Sequence, residues 1–171
     1  MAHSRVFCMV RNLNEEEVER ALAVDNVDVV EAIRGCDYAD DRLEEGNALV
    51  QEDVDWLASW IGIKGEEPLI KPEVIKIDGV EYYYWAVPVD KLKEAIEEEK
   101  KKRVKRIKKE LEEEKPDLGT IAYEAYLQKG FFFYLPDLGF LNEIDLYEFV
   151  LENTEGRGEN FYIVKTIDYH F

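Results

Sequence analysis

Serine, histidine and cysteine are nearly missing from this chain: Ser4 and Ser59, His3 and His170, and Cys8 and Cys36 are the only residues of these types among 171. Nucleophilic catalysis needs a hydroxyl or thiol beside an imidazole base. With both histidines at the termini, no serine triad is expected, and the two cysteines read as buried, reduced thiols packed as small apolar groups. None of His3, Cys8, Cys36 and His170 falls in the paired spacing of structural zinc sites.

Phosphate cradles are absent too. Gly156-Arg157-Gly158 lacks a third glycine, and the stretch from Gly62 to Gly65 is not followed by the Lys-Ser or Lys-Thr of a nucleotide loop. A metal-dependent nuclease core would follow Asp78 and Glu81 with a lysine two residues on, where this chain has Tyr83. The acidic residues Asp37, Asp40, Asp41, Glu44 and Glu45 do not follow the order of a calcium loop and read as a solvated acidic loop. The sequence therefore assigns no catalytic residue, cofactor or metal ligand.

Long apolar runs are lacking as well. No segment approaches the roughly 18 apolar residues that cross a bilayer, and Met1 to Arg11 has no signal-peptide pattern, so the expectation is a cytoplasmic protein without membrane contact. Charge is unbalanced: 39 acidic against 22 basic residues leave a net charge of −17, which repels nucleic acid and anionic lipid before local contacts form. Abundant Glu and Lys with little Ser, Thr, Gln, Cys and Met resemble the composition of proteins from heat-loving organisms. Yet 46% of the residues are apolar and interleave with polar ones, which excludes intrinsic disorder and predicts one folded domain over 1–171.

Periodicity predicts the elements. An apolar run makes Arg5 to Arg11 a buried strand. Asn14 with Glu17 caps a first helix that buries Val18, Ala21 and Leu22; Asp28 with Glu31 starts a second that buries Val29, Val30 and Ile33 and ends before Gly35. Val50 to Ile61 forms a third, burying Val54, Leu57, Ala58 and Ile61, and Gly62 stops it. Ile77-Asp78-Gly79-Val80 closes a hairpin from Glu73 to Val87, in which Lys76 faces Glu81, Ile75 faces Tyr82 and Val74 faces Tyr83. A long helix opened by Asp90 runs from Val89 to Lys115 and stops before Pro116. Its apolar positions Leu92, Ile96, Val104, Ile107 and Leu111 leave a bare stretch at Glu97 to Arg103 that is expected to leave the body, kept helical by the pairs Glu97–Lys101, Glu98–Lys102 and Glu99–Arg103.

The tetrapeptide Pro-Asp-Leu-Gly occurs twice, at Pro116 to Gly119 and Pro136 to Gly139, each ahead of a helical pattern, but the flanking residues do not match and no duplication is read from it. A helix over Thr120 to Gln128, a strand over Phe131 to Leu135, a helix over Asn142 to Glu152 and a last strand over Asn160 to Tyr169 complete the chain, with Gly156 and Gly158 loosening the loop before that strand. The fold class that results is α+β: a single mixed or antiparallel sheet of about five strands, helices packed on it, and one long, partly protruding charged helix.

Function is sought in charge, since reactive groups are lacking. Within Lys100 to Lys109 eight residues are cations. Lys101, Arg103, Lys105, Arg106 and Lys108 form the candidate interaction face, together with Trp56 and Trp60, four apart on the third helix, as anchors if exposed. The leading expectation is a non-catalytic interaction or regulatory module that takes a protein partner or a second copy of itself. A charge mimic of DNA that occupies a nucleic-acid-binding protein is the second, though the basic run interrupts a phosphate-like array; a carboxylate-dependent enzyme acting on a small substrate is the third.

Overall fold

The computed structural model describes residues 3–43, 46, 49–62, 73–126, 131–154 and 159–170. Along the chain these form β1 (His3–Val10), α1 (Glu15–Ala23), α2 (Asn26–Ala32), β2 (Tyr38–Asp41), α3 (Gln51–Trp60), β3 (Glu73–Ile77), β4 (Val80–Pro88), α4 (Val89–Leu111), α5 (Leu118–Tyr126), β5 (Phe132–Leu135), β6 (Gly139–Leu141), α6 (Glu143–Leu146) continued by a π-helical turn (Tyr147–Leu151), and β7 (Asn160–His170). Glu44, Glu45, Gly65, Gln128, Gly156 and Gly158 lie outside the described residues.

The strands make one mixed sheet in the order β3-β4-β7-β1-β5-β6, with β2 also paired to β7. The long last strand explains this branching. One edge of β7 is covered by β1; the other is shared end to end, Asn160 to Ile163 by β4 and Ile167 to His170 by β2. Among the described strand pairs, only β1 and β5 run parallel. The sheet has seven strands where about five were expected.

Side-chain alternation divides β1 between two cores. Phe7 and Met9 face a core built with α3, α4 and α6, while Val6, Cys8 and Val10 face one built with α1 and α2. All five are fully buried, as a continuous apolar run covered on both faces requires. Opposite β1 the register shifts by one between Cys8↔Lys165 and Met9↔Ile163, which makes Val164 an extra residue on β7. This bulge resets the alternation, so that Phe161 and Ile163 fall on the α4 face while Ile167 and Tyr169 fall on the α1 face. The buried Lys165 ammonium beside it donates to the Leu22 and Val24 carbonyls at the end of α1, where the helix dipole favours a cation, and pairs with Asp41 at 2.9 Å.

Several local expectations hold. Asn14 accepts from the Glu17 amide at 2.8 Å, and the hairpin has the expected register, with Asp78 and Gly79 at φ 50° and 80° and a Lys76–Glu81 pair at 3.3 Å. Others are corrected. The second helix starts earlier, at Asn26, because Asp25 forms the capping box with Asp28, and Val30 is exposed. Tyr38 to Asp41, placed in an acidic loop, is a strand, since the free upper edge of β7 supplies its backbone partners. Val89 to Leu111 is shorter than expected, and Asp90 lies in its first turn without capping it.

The two Pro-Asp-Leu-Gly copies have different conformations. Asp117 accepts from the Gly119 amide and the Thr120 hydroxyl at the start of α5, whereas Gly139 sits at φ 77° in the turn that joins β5 to β6. At Gly139 the positive φ strains any Cβ, while at Gly119 the backbone is ordinary but a Cβ would meet Asp117 Oδ1, the acceptor of its own amide, at 3.1 Å. Gly139→Ala should therefore destabilise the protein by about 1 kcal/mol or more, as read by urea unfolding.

Candidate functional site

Residues of α4 spaced three and four apart form one inward stripe: Val89, Leu92, Ile96, Glu99 and Arg103 are all buried. The stripe changes chemistry rather than direction. Its first three members pack into the core with Trp85 and Leu146, and the next two are ionic. Arg103 donates to Glu143, the first residue of α6, at 2.6 Å and to Glu99 at 3.4 Å. One turn on, Arg106 meets both Glu124 oxygens at 2.9 Å, and the Glu110 carboxylate accepts from the Asp117 amide at 2.8 Å, which folds α5 back along α4.

This overturns the expectation that Glu97 to Arg103 leaves the body, because Glu99 and Arg103 are buried there. Exposure falls instead on Val104 and Leu111, which were expected to be buried. Of the expected acid–base pairs, Glu99–Arg103 forms, while Lys101 pairs with Glu98 at 3.0 Å and the Tyr147 hydroxyl donates to Glu97.

The predicted interaction residues therefore separate. Arg103 and Arg106 are structural, joining α4 to α6 and α5. Lys101, Lys105 and Lys108 line a groove of about 740 Å³ with Lys100, Val104, Lys109 and Glu112, and the half-exposed Arg106 lines it as well as binding Glu124; Lys100 lies 4.3 Å from the Tyr147 ring. Among the described residues, Lys102, Lys105, Lys108 and Lys109 have no carboxylate partner. Beside them α5 carries Leu118, Ile121, Ala122, Tyr123 and Ala125, yet none of its described side chains is buried, and Leu118 is 75% exposed. Sequence reading missed α5 as a surface element because its composition resembles a core helix.

Trp56 and Trp60 lie elsewhere. Trp56 is 42% exposed and stacks on Phe7, and Trp60 is half-buried with its ring edge toward Phe131 at 4.7 Å, so α3 uses both as cover for the core.

A second polar constellation lies under α3, at the end of the sheet where β2, β7 and β1 run side by side. Register stacks Tyr38, His170 and His3 in one row, and Asp40, Asp168 and Arg5 in the next. Helix α3 lowers the buried Asp53 onto them. Its carboxylate accepts from Arg5 Nε at 2.6 Å and from the Thr166 hydroxyl at 2.7 Å, and lies 3.2 Å from Arg42 Nε. Arg5 also binds Asp168, whose other oxygen lies 3.2 Å from His3 Nδ1. A cavity of about 240 Å³ opens beside His3, Arg5, Glu52, Asp53 and Trp56. Ser4 also lines this cavity and hydrogen-bonds Tyr169, whose ring belongs to the opposite core.

The chain matches no protein-family model, and comparison with curated proteins and with solved structures gives no match. No helix among the described residues is long and apolar enough to cross a membrane.

Two predictions follow the burial of single groups. Arg103→Ala would break the buried Arg103–Glu143 pair and should cost about 3–5 kcal/mol, whereas Lys105→Ala should leave the urea midpoint unchanged. Burial pushes the Cys8 thiol up to about 12, while the half-buried Cys36 donates only to the Tyr38 carbonyl and corrects the expectation of two buried thiols. Above pH ~9 the unfolded chain loses the Cys8 proton and the folded chain keeps it, so stability falls with rising pH by about 1.4 kcal/mol per unit up to pH ~12. Cys8→Ala should remove that slope contribution in urea melts collected across this window.

Proposed function

We propose that this protein is a non-catalytic interaction module that associates with a second copy of itself through the outer face of the α4–α5 hairpin. The observation that carries the reading is an apolar helix, α5, without a buried described side chain, set beside a basic helix face. Leaving Val104, Leu111, Leu118 and Tyr123 in water forfeits the stabilisation that burial of such side chains normally gives, roughly 1.5–3 kcal/mol each when complete. These four exposed side chains lie on two adjacent helices, and soluble monomers rarely leave large apolar patches outside binding surfaces.

Charge supports a like copy as the occupant. Setting aside the eight cations of Lys100 to Lys109 leaves −25 on the rest of the chain, so each molecule presents both a basic segment and an acidic surface that complements it. At low ionic strength the net charges repel over long range; at about 0.1 M salt that repulsion is screened beyond ~10 Å while contacting pairs still attract. Nucleic acid meets the same basic face but also the acidic remainder, which disfavours it.

Light scattering at about 0.1 M salt should show a dimer that weakens toward about 1 M. The triple variant Lys101→Glu, Lys105→Glu, Lys108→Glu and the single variant Leu118→Asp should each shift it to monomer without loss of helical circular dichroism. A monomer at every concentration and salt level would refute the reading.

A further inference from the structure

The two histidines of the chain, one on the first strand and one on the last, are cross-strand partners. Their ring centroids lie 3.8 Å apart with planes inclined at 57°, and His3 Nδ1 lies 3.2 Å from Asp168 Oδ2. One donor atom from each of His3, His170 and Asp168 falls within 4.8 Å of the other two. We propose that these three residues bind one divalent transition-metal ion of the zinc class.

An ion pair alone does not account for this arrangement. A single imidazole suffices to meet Asp168, and the second ring brings a further nitrogen donor to the same point. The donors are two nitrogens and one oxygen, a set that suits zinc, cobalt or ferrous iron, while calcium and magnesium take oxygen shells. Three protein ligands leave further positions to water, and the exposed His3 ring keeps that side open.

The surroundings support the ligands. Arg5 holds one oxygen of Asp168, turning the other toward His3, and Asp53 in turn holds Arg5. The Tyr38 ring meets the His170 ring edge-on at 5.2 Å. Arg5 and Arg42 bring two positive charges close to the site, but Asp40, Glu52, Asp53 and Asp168 bring four negative ones, so the neighbourhood can accept a dication. The exposed trio Glu15, Glu19 and Asp78 has carboxylates alone and carries no such argument.

The test uses the whole chain in excess Mg²⁺, which occupies surface carboxylates, with Zn²⁺ and Co²⁺ as probes. Because the chain has two histidines, the carbon–proton NMR spectrum holds two imidazole Cε1–H signals, one per ring. Both should move together and saturate at one equivalent of Zn²⁺. His170→Ala should weaken Co²⁺ and Zn²⁺ binding by more than the roughly 10- to 100-fold typical of an outer-shell change, with Asp168→Asn acting in the same direction. Zinc should raise the melting temperature of the wild type and not of His170→Ala. Unmoved imidazole signals at one equivalent, or equal affinity in His170→Ala, would overturn the site; the NMR result requires no variant to fold.

Discussion

The antiparallel pairing of the first strand with the last is the constraint on which the molecule depends. It places β7 at the centre of the sheet, leaves its other edge for β4 and β2 to divide, and gives β5 its parallel partner through β1. The extra residue Val164 lets one strand serve two cores out of phase. Without that reset, alternation carried down from Tyr169 and Ile167 would turn Ile163 and Phe161 away from α4, exposing apolar area on one face and leaving a void on the other. Lys165 stays fixed beside the bulge because two helix-end carbonyls and Asp41 satisfy its charge.

A second constraint sets the placement of α4. Its apolar stripe ends at Ile96, and the ionic positions Glu99 and Arg103 continue the same line toward α6. A buried ion pair contributes little net stability compared with apolar packing, but a slipped helix would break the Arg103–Glu143 contact between α4 and α6, at a cost of several kcal/mol. The stripe therefore fixes the register of α4 on the body more firmly than a longer apolar seam would, since Leu and Ile tolerate sliding and a buried pair does not. Arg106 and Glu110 extend the same logic to α5.

Elements with a local cause were legible in the sequence. The Asp-Gly turn set the hairpin register, Asn14 set the start of α1, and the period of Val54, Leu57 and Ile61 set α3. Elements with a non-local cause were not. Tyr38 to Asp41 has the composition of a loop and becomes a strand through an edge of β7 more than a hundred residues away, and Gly139 resembles Gly119 until the β5–β6 turn demands a positive φ. Of the candidate face, the lysines were visible as a charge run, but the burial of Arg103 depends on Glu143, which no spacing within α4 reveals. The His3–His170 juxtaposition was hidden for the same reason: residues 167 apart give no motif, and only knowledge that the terminal strands pair would have found them.

The chain thus keeps two polar surfaces on separate elements, one under α3 across three strands and one along α4 and α5. Their chemistry differs in a way that matters for reading either. Under α3, Arg5, Arg42, Asp53 and Asp168 pair their charges in a partly buried network, so little charge there is free to recruit a macromolecule. Along α4 Lys101 pairs with Glu98 while Lys105 and Lys108 have no carboxylate partner among the described residues, and intrahelical pairing at an exposed surface is worth only a few tenths of a kcal/mol. A basic helix by itself would fit a merely solvated face. What distinguishes this one is the neighbouring α5: four of its exposed residues, Leu118, Ala122, Tyr123 and Ala125, are apolar or aromatic, and among the described residues nothing buries them.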